Sequence, residues 1–361
     1  NIKSYLAVFM KNKKVKFSKA INEALVFSMK KDKNLICYGL GINDPKRIFA
    51  TTETLLEKFG NKRVFDVPNS ENTIMGISVG AALGGIKSIV THQRLDFFIL
   101  AMDQLVNSAA KWKYMFGRSK SLPITIRLII GRGWGQGPTH SQNLQSWFYH
   151  IPGLKIVCPS NPKDAKKLLI DSIFDPNPVI FIEHRWLHNI IGPTEKPKVA
   201  KLNLTKVLKK GKDITIIANG YLAIEAIKAS EILKKNFNID CEVIDLNIIK
   251  PLNYKLILNS VKKTKRVLSL DTGMISGSIS SDIISKLAKS TFKYLKSSPE
   301  IMGMPDIPVP STYGGANFYI RHLDIVLRIM SMFKIKNKLD KKFLQIKKPL
   351  DTPGTWFKGP F

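Results

Sequence analysis

LKIVCPSNPKDAKKLLIDSIFDPNPVIFIE, residues 154–183, sets two apolar, β-branched runs on either side of one helical pattern. A strand, a helix and a second strand in this order read as one crossover unit of a parallel sheet, because both strands are apolar on both faces and the helix must cover one of them. Asp175 and Asn177 fall in the proline-bounded turn that opens the second strand. A turn accounts for both residue types without a ligand.

The same alternation extends in both directions. GIKSIVTH (85–92) and LPITIRLII (122–130) are further buried strands, with FFILAMDQLVNSAAKWKYMF (97–116) predicted as the helix between them. Toward the start, FSKAINEALVFSMKKD (17–32) predicts a helix, NLICYGL (34–40) a short buried strand, and RVFDVP (63–68) a strand that Pro68 ends. Residues 191–212 are polar and proline-bearing and read as a linker. A second alternating set follows in ITIIANG, LAIEAIKASEILKKNFN, IDCEVIDLN, RVLSLD and ISGSISSDIISKLAKS. The expected class is α/β: a first domain over 1–194 with a parallel sheet flanked by helices, a linker over 195–212, a smaller α/β domain over 213–330, and a basic tail over 331–361.

Composition narrows the function classes. Of 361 residues 44% are hydrophobic and 9% aromatic, which describes a globular chain, and no apolar run reaches the ~18 residues a membrane span needs. The start NIKSYLAVFMKNKKVK lacks a secretory signal pattern, and the expectation is a cytoplasmic protein. Cys37, Cys158 and Cys241 show no metal spacing and read as reduced, structurally bland thiols. The formal charge of +30 is spread over scattered lysines without arginine-aromatic interleaving, so a solvated surface is favoured over nucleic-acid recognition.

Four places carry candidate chemistry. In DVPNSENTIMGISVGAALGG (66–85), Ser70 is placed to cap a helix and Glu71 lies in its first turn, where the helix dipole favours a carboxylate; Gly76, Gly80 and Gly84 form one small-residue face. GRGWGQGPTHSQ (131–142) packs four glycines into seven residues ahead of His140, which could titrate near neutrality. Neither a P-loop nor a dinucleotide fingerprint is present. HQRLDFF (92–98) offers Phe97 either to the core or to a planar ligand. The fourth place is the turn around Asp175 and Asn177.

Taken in order, FDVPNSE…GISVGAALGG, DFF…AMDQLVNSAAKWKYMFG, PITIR, G…GPTHSQ, WFYHIPGLKIVCPSNPKDAKKLL and DPNPVIFIEH resemble the beta subunit of the decarboxylating component of 2-oxo acid dehydrogenases, a transketolase-like, thiamine-diphosphate-dependent family. The likeness runs from about residue 15 to 330. It implies a pyrimidine-binding domain followed by a transketolase C-terminal domain, a separate alpha subunit in an α2β2 assembly with a beta–beta contact, and a cofactor shared between subunits. The residues matching the family's cofactor contacts are Glu71 on the aminopyrimidine ring, with Met75 and Phe97 packing near it. His140 would face the reacting carbon and assist acyl transfer to a lipoyl acyltransferase. A monovalent cation, usually potassium, would sit at Ile124, Ser172, Ile173, Asp175 and Asn177. No G-D-G diphosphate motif occurs, which in the two-chain family belongs with magnesium to the alpha subunit.

The resemblance implies oxidative decarboxylation of a small 2-oxo acid. A thiamine-dependent carboligase without a lipoyl partner is the rival within the fold, and a non-catalytic basic binding protein the rival outside it. One departure stands out: Leu40 and Gly41 occupy positions where relatives carry acidic residues. Arg132 and Trp134 match no standard role.

Overall fold

The computed structural model describes residues 13–117, 121–131, 135–311, 318–336 and 357. By its internal contacts the chain divides into two units. The first takes residues 1–130, 151–203 and 358–361, the second 131–150 and 204–357.

In the first unit the sheet order is Lys155–Val157, Val179–His184, Ile124–Ile130, Lys87–His92, Leu35–Gly39, Val64–Asp66, with every neighbouring pair parallel. All seven residues of Ile124–Ile130 and all six of Val179–His184 are buried, which is why these strands read as unbroken runs and not as alternating ones. Helices Phe17–Lys31 and Pro162–Ile173 pack on each other. A small ribbon pairs Lys14–Lys16 with Ile191–Pro193 in antiparallel register. Asn161 caps the second of these helices, its side chain accepting from the Asp164 backbone at 3.0 Å.

Chain order and sheet order differ at Val179–His184, which lies inside Lys155–Val157, and at Leu35–Gly39, which lies inside Val64–Asp66. At the second of these the connection from Leu35–Gly39 runs to Val64–Asp66 on one side and that from its neighbour Lys87–His92 to Ile124–Ile130 on the other, so two adjacent strands are left in opposite directions. In parallel α/β sheets ligands bind beyond the carboxyl ends of the strands at such a reversal.

The second unit builds a separate sheet in the order Glu300–Met304, Val267–Met274, Ile214–Ala218, Cys241–Asp245, Lys206–Lys209, parallel except for the last strand. Its helices are Tyr221–Phe237, Tyr254–Thr264, Ile279–Thr291 and His322–Met332. Glu225 ties the first to the last: it accepts from Arg321 Nε at 3.2 Å and from the His322 backbone at 2.9 Å.

Three expectations are revised. The predicted helix over 97–116 is four pieces: Leu95–Phe98, a 3₁₀ turn Ile99–Ala101, a π-helical stretch Gln104–Ala109, and Trp112–Met115. Ala110 bonds back five residues to Leu105, and Gly153 packs so close to the Ala110 carbonyl that a Cβ would lie 2.0 Å from it. The stretch read as a linker holds the edge strand Lys206–Lys209, whose antiparallel pairing with Cys241–Asp245 supplies the order its composition does not. Ser70 does stand at the N-cap of helix Glu71–Leu83, but its hydroxyl bonds the Thr73 hydroxyl at 2.8 Å, not a backbone N–H. All three cysteines are buried and none forms a disulfide. Among the described residues no helix is long and apolar enough to cross a membrane. Helix His322–Met332 runs just past the expected start of the tail, most of which (337–356) lies outside the described residues.

Candidate functional site

The sheet reversal of the first unit gathers three loops: the one after Leu35–Gly39, the one from Asp66 to Glu71, and the one after His92. The strands come close there. A Cβ on Gly39, at φ +150°, would lie 2.0 Å from the Thr91 carbonyl oxygen, so only glycine fits. Gly41, at φ +73°, faces Gln93, and a Cβ would lie 1.8 Å from its Nε2.

A carboxylate, Asp44, stands three residues beyond Gly41. Gln93 Nε2 donates to Asp44 Oδ2 at 3.3 Å, and that oxygen lies 2.9 Å from where a Gly41 side chain would begin. The Asn43 backbone N–H donates to Asp66 Oδ2 at 3.1 Å, joining this loop to the one that leads to Glu71.

Glu71 opens helix Glu71–Leu83 and is 7% exposed. Its carboxylate has no hydrogen bond or ion pair among the described residues. With no donor from the described residues, its oxygens stay open to solvent at the helix head, where the dipole favours their charge. Met75, one turn further on the same helix, is fully buried. Phe97 is half-buried, whereas Phe98 belongs to the core and meets the His92 ring edge-on at 4.9 Å. The planar edge of an aminopyrimidine, with ring N–H and amino donors, fits such an open acceptor beside apolar side chains. The residues present therefore suit thiamine diphosphate.

His140 lies in the second unit and is exposed; its Nδ1 is 2.9 Å from Thr139 Oγ1 and its backbone N–H donates to the Gly137 carbonyl at 3.2 Å. The segment behind it is anchored within that unit. Gln145 Nε2 donates to Asp271 Oδ1 at 2.7 Å and to Thr272 Oγ1 at 2.9 Å, Asn143 Nδ2 to the Thr272 carbonyl at 2.8 Å, and Tyr149 OH to Asp282 Oδ2 at 2.5 Å. Arg132 and Trp134 lie outside the described residues.

The turn expected to hold potassium is already furnished with donors. Asp175 Oδ1 accepts from the Asn177 backbone at 3.0 Å and from its side chain at 2.9 Å. Asp175 Oδ2 accepts from Lys155 Nζ at 2.5 Å, and Asn177 Oδ1 from Lys113 Nζ at 3.1 Å. A potassium ion bound to these side chains would have to displace an ammonium group.

One buried network was not foreseen. Arg127 and Glu183, both fully buried, form a fork with Nε–Oε1 2.6 Å and Nη2–Oε2 3.1 Å; Arg127 Nη2 also donates to Thr51 Oγ1 at 3.0 Å, and His188 Nε2 lies 3.3 Å from Glu183 Oε2. Burial alone would raise the Glu183 pKa, but the Arg127 charge and the His188 bond outweigh it and hold the carboxyl at about 2. Burial, with neighbouring positive charge, pulls His184 down to about 3 and His188 to about 4, while burial alone takes His92 to about 4. The signal in the sequence was a lone arginine at the centre of ITIRLII, which in a buried strand requires a partner.

Comparison with known proteins agrees with this geometry. Residues 13–189 match the transketolase pyrimidine-binding domain and residues 204–317 the transketolase C-terminal domain. The chain is 35% identical over 319 residues, 85% of itself and 94% of the relative, to the beta subunit of acetoin:2,6-dichlorophenolindophenol oxidoreductase from Cupriavidus necator. It is 37% identical over 293 residues, 81% of itself and 89% of the relative, to the pyruvate dehydrogenase E1 component subunit beta of Rickettsia felis. The mitochondrial pyruvate dehydrogenase E1 subunit beta of Pisum sativum is 33% identical over 325 residues, covering 89% of this chain and 90% of its own. In fold it is similar to a split-gene transketolase solved as an inactive beta4 tetramer, with a TM-score of 0.68 at 18% identity over 90% of this chain and 99% of that one. With both transketolase domains matched in order and relatives aligned over nearly their whole length, the chain belongs to the family of E1 beta subunits of 2-oxo acid dehydrogenases.

Proposed function

We propose that this chain is the beta subunit of a thiamine-diphosphate-dependent oxidoreductase that decarboxylates a small 2-oxo acid together with an alpha subunit, in an α2β2 assembly, passing the acyl group to a lipoyl partner. The observation that carries the reading is Glu71, a largely buried residue whose carboxylate has no partner among the described residues, at the sheet reversal of a pyrimidine-binding domain.

Thiamine diphosphate, when bound, supplies a nucleophilic carbon and an electron sink for loss of carbon dioxide. Glu71 would accept a hydrogen bond from the ring N–H of its aminopyrimidine, a charge-assisted bond strengthened by exclusion of water. Met75 and Phe97 give the ring an apolar seat. His140 exchanges a proton near the reacting carbon from a loop that Gln145 and Tyr149 hold in place. Asp44, bonded to Gln93, puts a carboxylate in the loop after the strand Leu35–Gly39. Magnesium and the diphosphate belong to the alpha subunit. The C-terminal domain begins at about residue 204, earlier than the expected 213, and the assembly is cytoplasmic.

A second substrate class is favoured by one comparison: the relative from Cupriavidus necator bears acetoin in its name. Acetoin has the adjacent oxygenated carbons of a 2-oxo acid but no carboxylate. The test is to purify this chain with its alpha partner and follow thiamine-diphosphate-dependent carbon dioxide release from a panel of 2-oxo acids, and aldehyde release from acetoin. Carbon dioxide release from one or more acids is expected. Turnover of acetoin alone would replace the first reading with the second, and no cofactor-dependent product from any substrate would overturn both.

A further inference from the structure

The turn from Ser172 to Asn177 is held by positive charge that the chain itself provides. Lys155 reaches it from the first residue of its strand, with its side chain 29% exposed and Asp175 only 5%. Lys113 reaches it from helix Trp112–Met115, 64 residues away in sequence. Between them they take one carboxylate oxygen and the amide oxygen, while the Asn177 amide and backbone N–H take the other carboxylate oxygen. The Ser172 carbonyl, a further oxygen of the same turn, accepts from the Asp175 backbone at 3.2 Å.

An ammonium group and a potassium ion are close in size, carry the same charge and seek the same oxygen donors. The side-chain oxygens of this turn suit either, but not both together: Lys155 already balances the one carboxylate, Lys113 holds the amide oxygen beside it, and a further positive charge there would be repelled by both ammonium groups. The difference lies in cost. A bound ion gives up translational freedom and its hydration shell, whereas a lysine already tethered to the fold gives up only side-chain rotamers.

We propose that Lys113 and Lys155 serve as the built-in monovalent cations of the Ser172–Asn177 turn, so that this protein keeps the turn ordered without potassium. Lys113 has a second effect. It fastens the end of the broken helical segment 95–116, which bears Phe97, to a turn at the head of strand Val179–His184. The inference stands whatever the substrate is.

Thermal unfolding of the purified protein, in its complex where it is obtained as one, tests this. Choline is replaced stepwise by potassium at constant ionic strength, for the native chain and for Lys113→Met. The native midpoint is expected to stay level within about 1 °C. The variant is expected to start lower in choline and to regain roughly 2 to 4 °C in a saturable, potassium-dependent step, because only a chain with an open site is stabilised by mass action. A saturable, potassium-specific rise in the native protein overturns the proposal on its own, even if the variant does not fold. A folded variant that responds equally to potassium and choline overturns it as well, since Lys113 would then not occupy an ion position.

Discussion

Glu71 and Glu183 are two buried carboxylates of the same unit, and their surroundings treat them in opposite ways. Glu183, at the end of a central strand, is met by a guanidinium fork and by His188, so its charge is fully answered within the fold. Glu71, at the head of a helix beside the sheet reversal, is 7% exposed against 0% for Glu183, and its carboxylate has no partner among the described residues. The first arrangement is what a stable interior requires; the second leaves an acceptor open at the surface of the fold. A carboxylate whose body is packed and whose oxygens are left to solvent is available to a ligand.

The contrast can be broken at four points, from the largest expected effect to the smallest. Replacing Arg127 with Met strands Glu183 as an isolated buried charge and is expected to lower stability by about 3 to 5 kcal/mol, read as the urea unfolding midpoint. Retention of native stability would mean that the fork is not what satisfies Glu183. Glu71→Gln is expected to behave in reverse. Turnover of the assembled enzyme should fall roughly 10²- to 10³-fold while the melting temperature holds, because the shape is kept and no bond within the chain is lost. Turnover near the native rate would remove Glu71 from the chemistry.

Acidification gives the third. The three buried histidines have pKa values lowered to about 4, 3 and 4, so the unfolded chain takes up protons below its ordinary histidine pKa of ~6.5 while the folded chain does not. Stability is therefore full above that value and falls as pH drops from ~6.5 toward the folded values, by on the order of 2 kcal/mol per histidine at pH 5. Glu183, depressed to about 2, adds a further loss between the ordinary carboxylate value of ~4.3 and about 2. Melting temperatures recorded from pH 7.5 to 4.5 should decline monotonically; a flat profile down to pH 5 would show that these histidines are protonated in the fold.

The fourth and smallest effect concerns the anchor behind His140. Gln145→Leu removes two donors from buried Asp271 and Thr272 and should cost about 1 to 3 kcal/mol locally. Urea unfolding midpoints of the purified variant check this. A midpoint equal to that of the native chain would mean that Asp271 is satisfied without Gln145.

Much of the fold was legible because the strands advertise themselves. Ile124–Ile130 and Val179–His184 are buried on both faces, and β-branched runs of that length have no other comfortable place. The segment 95–116 was misread because its pattern suits a continuous helix. Its breaks come from packing at Ala110 that involves Gly153, a residue distant in sequence. The edge strand Lys206–Lys209 has half-buried residues throughout and no alternation, so only its partner reveals it. At the site, Glu71 could be singled out from its position at a helix start, whereas its seclusion could not. Arg127 and Glu183 are 56 residues apart, and nothing local links them. Asp44 carries no local signal either, because what places it at the site is its bond to Gln93, 49 residues away.

The segment 131–150 leaves a strand of the first unit yet makes its anchoring bonds with Asp271, Thr272 and Asp282 of the second. Heredity of function in this chain thus does not follow the linear boundary between its two domains. A recombination that exchanged only residues 204 onward with a relative would carry off the anchors and leave the histidine loop behind. Successful chimaeras should be those that transfer 131–150 together with the C-terminal half, as one inherited block.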